Sequence, residues 1–147
     1  MNIVFLAAGM GTRIGNKKSH KCLIKINNNK TLIENNINVL KDLYGQKVSI
    51  SIVVGYNANL IKSFLKKHKL KFIKNKNFKT KNITHSILKG LKENYFEDTL
   101  IIYSDILIEK KIIEKLKNIN KKKITIPVLR NWKKVWKLRK ESIKKDA

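Results

Sequence analysis

Asn2-Ile3-Val4-Phe5-Leu6-Ala7-Ala8-Gly9-Met10-Gly11-Thr12-Arg13, at the start of a chain of 147 residues, is an apolar run that breaks into two closely spaced glycines. Asn2 to Leu6 has the length and β-branched content of a short strand, and Ala8 to Ser19 reads as the polar loop after it. The same alternation recurs downstream. Cys22 to Ile26 reads as a second extended piece. Thr31 with Glu34 three residues on predicts a capping box, and Leu32, Ile33, Ile37 and Leu40 give the helix it starts an apolar stripe. Lys47 to Val54 is β-branched and strand-like. Asn57 to Lys67 puts Leu60, Ile61, Phe64 and Leu65 on one helical face, and Lys69 to Ile73 is a brief strand. Asn82 is a candidate cap for a helix reaching Tyr95 that buries Ile83, Ile87, Leu88 and Leu91. Thr99 to Tyr103 reads as a strand ending at Asp105, Glu109 to Asn118 as a helix, Lys123 to Val128 as a strand, and Asn131 onward as helix again.

Strands alternating with helices of these lengths imply parallel pairing through right-handed crossovers, hence the α/β class with an open, mostly parallel sheet sandwiched by helices. No repeat and no glycine-serine linker divides the chain, and the single proline, Pro127, lies late. Residues 1–147 are expected to form a single domain. A sheet of this kind collects its ligand at the carboxyl ends of its strands. Gly9 and Gly11 after the first strand, Gly55 and Tyr56 after Val54, and Ser104 and Asp105 after Tyr103 should therefore converge.

A hydrophobic content of 42% is enough for one sizeable core. No apolar run approaches the roughly 20 residues of a membrane-spanning helix. The first residues lack a secretory leader's basic region and cleavage site, so a cytoplasmic protein is expected. Cys22 is the only cysteine, which excludes an internal disulfide and fits a reducing compartment. The formal charge of +24 would ordinarily put nucleic acid among the partners. Here the basic residues are nearly all lysine, mixed with asparagine and isoleucine along the whole chain. Arg13, Arg130 and Arg139 are the only arginines, and no aromatic interleaving offers base stacking. The charge reads as a solvated background with no specific nucleic-acid partner.

Glycines at positions 9 and 11 remove the Cβ atoms that would hold a backbone away from phosphate oxygens, so several N–H groups can form an anion nest. Arg13 adds a forked donor. The spacing is not that of the P-loop, which disfavours an ordinary ATPase or GTPase. A dinucleotide-binding turn fits poorly too, since its third glycine would fall at Ile14 and Glu34 sits within a helix. A tight turn without any ligand is the plain alternative. Asp105, one of only 10 acidic residues, follows an apolar strand directly. Its carboxylate is the hard oxygen that Mg²⁺ takes alongside substrate phosphates; the alternative is a turn or cap.

Leu6-Ala7-Ala8-Gly9-Met10-Gly11-Thr12-Arg13, followed after a lysine-rich stretch by Lys21, resembles the signature loop of the nucleotidyltransferases that make nucleotide-activated sugars and alcohols. In that family proline usually precedes the lysine; His20 stands there instead. The resemblance continues through Thr31-Leu32-Ile33-Glu34, Val53-Val54-Gly55-Tyr56 and Asn75 to Ser86, and so covers most of the chain. It implies a Rossmann-like fold in which Gly9, Gly11, Arg13 and Lys21 bind a nucleoside triphosphate. Leu6, Ala7, Ala8, Met10, Thr12, Gly55, Tyr56, Asn82 and Ser86 join them as nucleotide-binding positions. It also implies that Asp105, in a Ser-Asp pair where the family has Gly-Asp, binds Mg²⁺.

The implied chemistry is attack by a phosphate or phosphonate oxygen on the α-phosphorus, with pyrophosphate expelled and the charge offset by the metal, Arg13 and Lys21. The attacking oxygen is already anionic, so no general base is needed. His20, His68 and His85 form no ligand pair or triad spacing and read as incidental.

Asn75, Phe78, Thr80, Asn82 and Ser86, with Asn131-Trp132, Trp136 and Arg139, look like the branch that includes phosphocholine and aminoethylphosphonate cytidylyltransferases. That resemblance favours CTP and a small phosphorylated acceptor. Trp132 and Trp136, one helical turn apart, could present two indoles to a cationic amine, or pack in a core stripe with Val135 and Leu138. The family also implies a further segment beyond Ala147 that completes the acceptor pocket and adds a second metal-binding acid. On that reading residues 1–147 lack the acceptor-binding part. A sugar-1-phosphate nucleotidyltransferase, an inactive nucleotide-binding fragment and a basic nucleic-acid-binding module are the rival expectations.

Overall fold

The computed structural model describes residues 1–11, 20–27, 30–92, 98–119 and 124–137. Strand β1 (Asn2–Ala7) is buried along its whole length. It pairs in parallel with β4 (Ser49–Val54) on one side and β6 (Thr99–Tyr103) on the other, and β5 (Lys71–Lys74) pairs in parallel with β4. The four-stranded order is β5-β4-β1-β6. From β1 the chain winds outward through β4 and β5, then crosses back to lay β6 against the other side of β1. The switch in winding therefore lies between the ends of β1 and β6, the position where open α/β sheets leave a crevice for ligands. A separate antiparallel ribbon joins β2 (Lys25–Asn27) to β3 (Lys30–Thr31).

Alternate residues of β1 feed two cores. Ile3, Phe5 and Ala7 face one layer, packing with Ile33, Ile37 and Leu40 of α1 (Leu32–Tyr44), Ile61 of α2 (Ala58–Phe64) and Ile113 of α4 (Lys110–Lys117). Val4, Leu6 and Ala8 face the other, with Val53 and with Ile87 of α3 (Ile83–Lys92). A sheet covered on both faces favours strands that are apolar nearly throughout, which is why β1 reads as a continuous run from Ile3 to Ala7 and β4 ends in Ile52, Val53 and Val54, with the small Ser51 buried beside them. The expected parallel sheet sandwiched by helices is thus the fold observed.

The predicted capping box is present. Thr31 Oγ1 accepts from the Glu34 N–H, and Glu34 Oε2 accepts from the Thr31 N–H at 3.1 Å and from its hydroxyl at 2.9 Å. Glu34 is buried, and Lys67 Nζ lies 2.7 Å from its other oxygen. Burial alone raises the carboxyl's pKa, but the bonds from Lys67 and Thr31 outweigh it and hold the group below its usual range. A lowered folded-state pKa stabilises above the unfolded value and is lost as pH falls through the folded one. Urea midpoints measured between about pH 6 and about pH 3 should therefore fall more steeply in the native chain than in Glu34→Gln.

Three expectations need correction. Cys22 to Ile26 is not one extended piece. His20 caps a 3-10 turn over Lys21–Leu23 by accepting the Cys22 N–H, and only β2 beyond it is strand. Helix α3 does not bury Ile83 and Leu88, which are 45% and 52% exposed; Ser86 and Gly90 are its buried residues. The helix lies so close to the sheet that a Cβ at Gly90 would meet Val4 Cγ1 at 2.5 Å, so small residues take the inner face. Ile124 to Val128 forms no strand. Ile124 and Val128 are 94% and 85% exposed, since β-branched residues make no ladder without a neighbouring strand. Lys123 lies outside the described residues, as does Tyr95. Among the described residues no helix is long and apolar enough to cross a membrane.

Candidate functional site

The cleft at the carboxyl ends of β1 and β6 is lined by Leu6, Ala7, Ala8, Gly9, Gly11, His20, Lys21, Ile83, Ser86, Tyr103, Ser104 and Asp105. Gly11 has φ of +65°, the left-handed region that side chains disfavour. The Lys21 stem lies against it, so closely that a Cβ at Gly11 would meet Lys21 Cγ at 3.0 Å. At the far end of that stem Lys21 Nζ stands 3.6 Å from Asp105 Oδ2. Glycine loop, lysine and aspartate thus come from three separated stretches of chain into one place. A half-exposed ion pair of this kind contributes little to stability, roughly 0–1 kcal/mol. Its interest is that one cation and one anion are held across a crevice walled by backbone.

Two buried polar side chains mount these loops. His20 Nε2 lies 3.1 Å from the Gly9 carbonyl, and His20 Nδ1 accepts from the Cys22 N–H at 3.4 Å. An accepting Nδ1 leaves the proton on Nε2, which therefore donates to Gly9. Burial pushes the imidazole pKa down and outweighs the Gly9 carbonyl and the Asp105 charge, so the neutral ring that this pattern requires is the favoured one. On the opposite loop, Asn36 of α1 donates to the Ile106 carbonyl at 2.7 Å and accepts from the Ile108 N–H at 3.1 Å. It pins the segment directly after Asp105. The Ser104 N–H reaches the Leu6 carbonyl at 3.3 Å and the Tyr56 N–H the Ala8 carbonyl at 3.1 Å, which ties both neighbouring loops to the end of β1, where the glycine loop begins.

Of the positions singled out in the sequence, Leu6, Ala7, Ala8, Gly9, Gly11, Lys21, Ser86 and Asp105 line the cleft. Thr12 and Arg13 lie outside the described residues. Met10, Gly55, Tyr56 and Asn82 are not among its lining residues. Gly55 and Tyr56 back the Ala8 carbonyl instead, and the Asn82 carbonyl accepts from His85 at the start of α3. Trp132 and Trp136, on α5 (Trp132–Trp136), also fall outside the lining. Their rings meet edge to face at 6.2 Å, and Lys133 Nζ sits 5.8 Å from the Trp132 ring. No residue of α5 is buried. Sequence reasoning missed His20, whose position immediately before Lys21 was its only signal, and Asn36, which had none. Cys22 is inert, because burial drives its thiol pKa up to about 12. Among the described residues no cluster of three or more His, Cys, Asp or Glu side chains forms a closed metal site.

Known proteins match the chain in sequence and in fold. A family model, the MobA-like NTP transferase domain, matches residues 3–137. The bifunctional protein GlmU of Buchnera aphidicola is 32% identical over 131 residues, covering 88% of this chain and 28% of that protein. Its counterpart in Fervidobacterium nodosum is 31% identical over 118 residues, covering 80% and 24%. Among solved structures, CTP:phosphocholine cytidylyltransferase from Streptococcus pneumoniae superposes with a TM-score of 0.60 at 27% identity, over 71% of this chain and 44% of that one. A nucleotidyl transferase from Methanothermobacter shares the fold with a TM-score of 0.56 at 24% identity, over 71% and 50%. The chain thus spans about a quarter of the length of the two GlmU proteins.

Proposed function

Because the chain belongs to the family of MobA-like NTP transferase domains, we propose that its cleft holds a nucleoside triphosphate with Mg²⁺ and serves transfer of the nucleotidyl group to a small phosphorylated acceptor. The observation that carries this reading is the meeting of Gly11, Lys21 and Asp105 in one cleft at the strand ends. Backbone N–H groups of the Gly9-Met10-Gly11 turn receive phosphate oxygens, and Lys21 places its charge beside them. Arg13, two residues beyond Gly11 in the sequence, adds a forked donor. An acceptor oxygen that is already anionic attacks the α-phosphorus; that P–O bond forms as the bond to the β-phosphate breaks, and pyrophosphate leaves with the electron pair.

Asp105 is the residue that would hold Mg²⁺. Its side chain is 42% exposed toward the cleft and supplies one hard oxygen, a donor set that suits a cation completed by phosphates and water rather than a protein cage. Bound there, the ion supplies positive charge to the phosphoryl oxygens. CTP is the favoured nucleotide and a phosphorylated amino-alcohol or phosphonate the favoured acceptor, supported by the resemblance around Asn75 to Ser86 and by the cytidylyltransferase among the solved structures.

Thermal shift with CTP, UTP, dTTP, GTP and ATP, each with Mg²⁺, tests the reading. A ligand at a hundred times its Kd stabilises by about 2.7 kcal/mol, so CTP should raise the midpoint by several degrees, and Asp105→Ala should remove the part that depends on Mg²⁺. A midpoint that no triphosphate moves would overturn the proposal.

A further inference from the structure

Both ends of the fully buried Asn36 amide are taken up by one short stretch of chain. The Ile108 N–H can only donate, so the end that faces it is Oδ1, and Nδ2 donates to the Ile106 carbonyl. The stretch these bonds hold has little other support. Of residues 105–109 Ile108 alone is buried, and Glu109, the N-cap of α4, makes no side-chain bond to the helix it starts. Asp105 opens this stretch. On its other side the Ser104 N–H is held by the Leu6 carbonyl at 3.3 Å, so the aspartate backbone is fixed between two points, one on β1 and one on α1. Its half-exposed side chain meets Lys21 Nζ at 3.6 Å, a contact that a triphosphate would loosen by drawing the lysine to its own oxygens. The backbone, rather than packing, then aims the carboxylate.

We infer that Asn36 is a positioning residue for the metal site: by fixing Ile106 and Ile108 it sets where the Asp105 carboxylate stands, and with that the preference of the cleft for Mg²⁺ over a larger cation such as Ca²⁺. The inference rests on the reading of Asp105 as the residue that holds Mg²⁺. Mg²⁺ demands near-ideal octahedral geometry with its oxygens at about 2.0–2.1 Å, whereas Ca²⁺ accepts about 2.3–2.6 Å and irregular arrangements. A carboxylate that drifts therefore costs Mg²⁺ more than Ca²⁺. An amide suits the place of Asn36 because it donates and accepts at once. An ionised carboxylate of the same size only accepts, and would set its oxygen against the Ile106 carbonyl.

Calorimetric titration of the full chain with CTP, run in a chelator, with Mg²⁺ and with Ca²⁺, tests the inference. In Asn36→Asp and Asn36→Ser the affinity without metal should stay close to the native value, since the glycine loop and Lys21 are untouched. The gain on adding Mg²⁺ should fall about tenfold, the lower end of the loss seen when a support of a metal ligand is removed. The gain on adding Ca²⁺ should fall much less. Asn36→Ser admits a water in place of the lost amide, which lets the chain fold while leaving the segment loosely held, so it carries the test even if Asn36→Asp does not fold. Gains from Mg²⁺ and Ca²⁺ that fall in step, or a metal-free affinity that falls as far as the metal-bound one, would make Asn36 a support of the fold alone and overturn the inference. An Mg²⁺ gain left intact in the variants overturns it as well. If Mg²⁺ adds nothing to CTP binding in the native chain, the reading of Asp105 fails instead.

Discussion

Lys21→Ala should weaken triphosphate binding about a hundredfold. Hydrogen bonds to a charged partner contribute about 1.5–3 kcal/mol each, and Lys21 is the only lysine among the described residues that line the cleft. The many other lysines do not compensate. At physiological salt a charge is screened beyond about 8 Å, so a general excess of positive charge raises encounter rate more than grip. Lys21 is also aimed: the 3-10 turn over Lys21–Leu23 fixes its backbone and Gly11 receives its stem. Lys21→Arg keeps the charge but must fit a wider head against the same glycine, so it should recover only part of the affinity. Asp105→Asn should behave differently. It removes the partner that holds Lys21 at 3.6 Å and the carboxylate proposed for Mg²⁺, so affinity without the metal should hold or rise while the gain on adding Mg²⁺ disappears. Calorimetry with and without Mg²⁺ separates the two. A Lys21→Ala chain that binds within twofold of the native one would remove the lysine from the site.

The features legible in the sequence were those decided by neighbours along the chain. The Thr31–Glu34 capping box lies within one turn, and the continuous apolar run of β1 follows from cover on both faces, so periodicity and capping sufficed. What escaped was decided by distant partners. The inner face of α3 is set by how close Gly90 comes to Val4, so the helix turns its small residues inward and leaves Leu88 out, against the apolar count. Asn36 holds the loop after Asp105 through carbonyl and amide groups 70 and 72 residues away, and an asparagine within an amphipathic helix gives no sign of that. His20 was readable as a departure from proline but not as a mount, because its partners become visible only when the Gly9 loop folds back over it. The site's ends were therefore legible and its supports were not.

Gly55→Ala should damage both the fold and the cleft, although Gly55 lines none of it. A Cβ at this position would stand 2.7 Å from the Ala8 carbonyl oxygen and 2.7 Å from Phe78 Cβ. One of these is backbone and the other is the root of a side chain, so no change of rotamer relieves either contact. The loop after β4 must lift, or Ala8 must move and lose the bond from the Tyr56 N–H to its carbonyl. Overpacking of this kind costs about 2 kcal/mol, a fall of about 4–8 °C in Tm for a chain of this length. Triphosphate affinity should fall with it, because Ala8 continues directly into the glycine loop. Gly9→Ala separates the two effects. No protein atom lies within 4 Å of the Cβ it would add, and its φ is not positive. Its Tm should stay near the native value while triphosphate affinity drops, since the new methyl enters the space proposed for phosphate oxygens. Differential scanning calorimetry paired with calorimetric titration of CTP reads both quantities in both variants. If Gly9→Ala binds CTP as the native chain does, the phosphates do not lie against that turn.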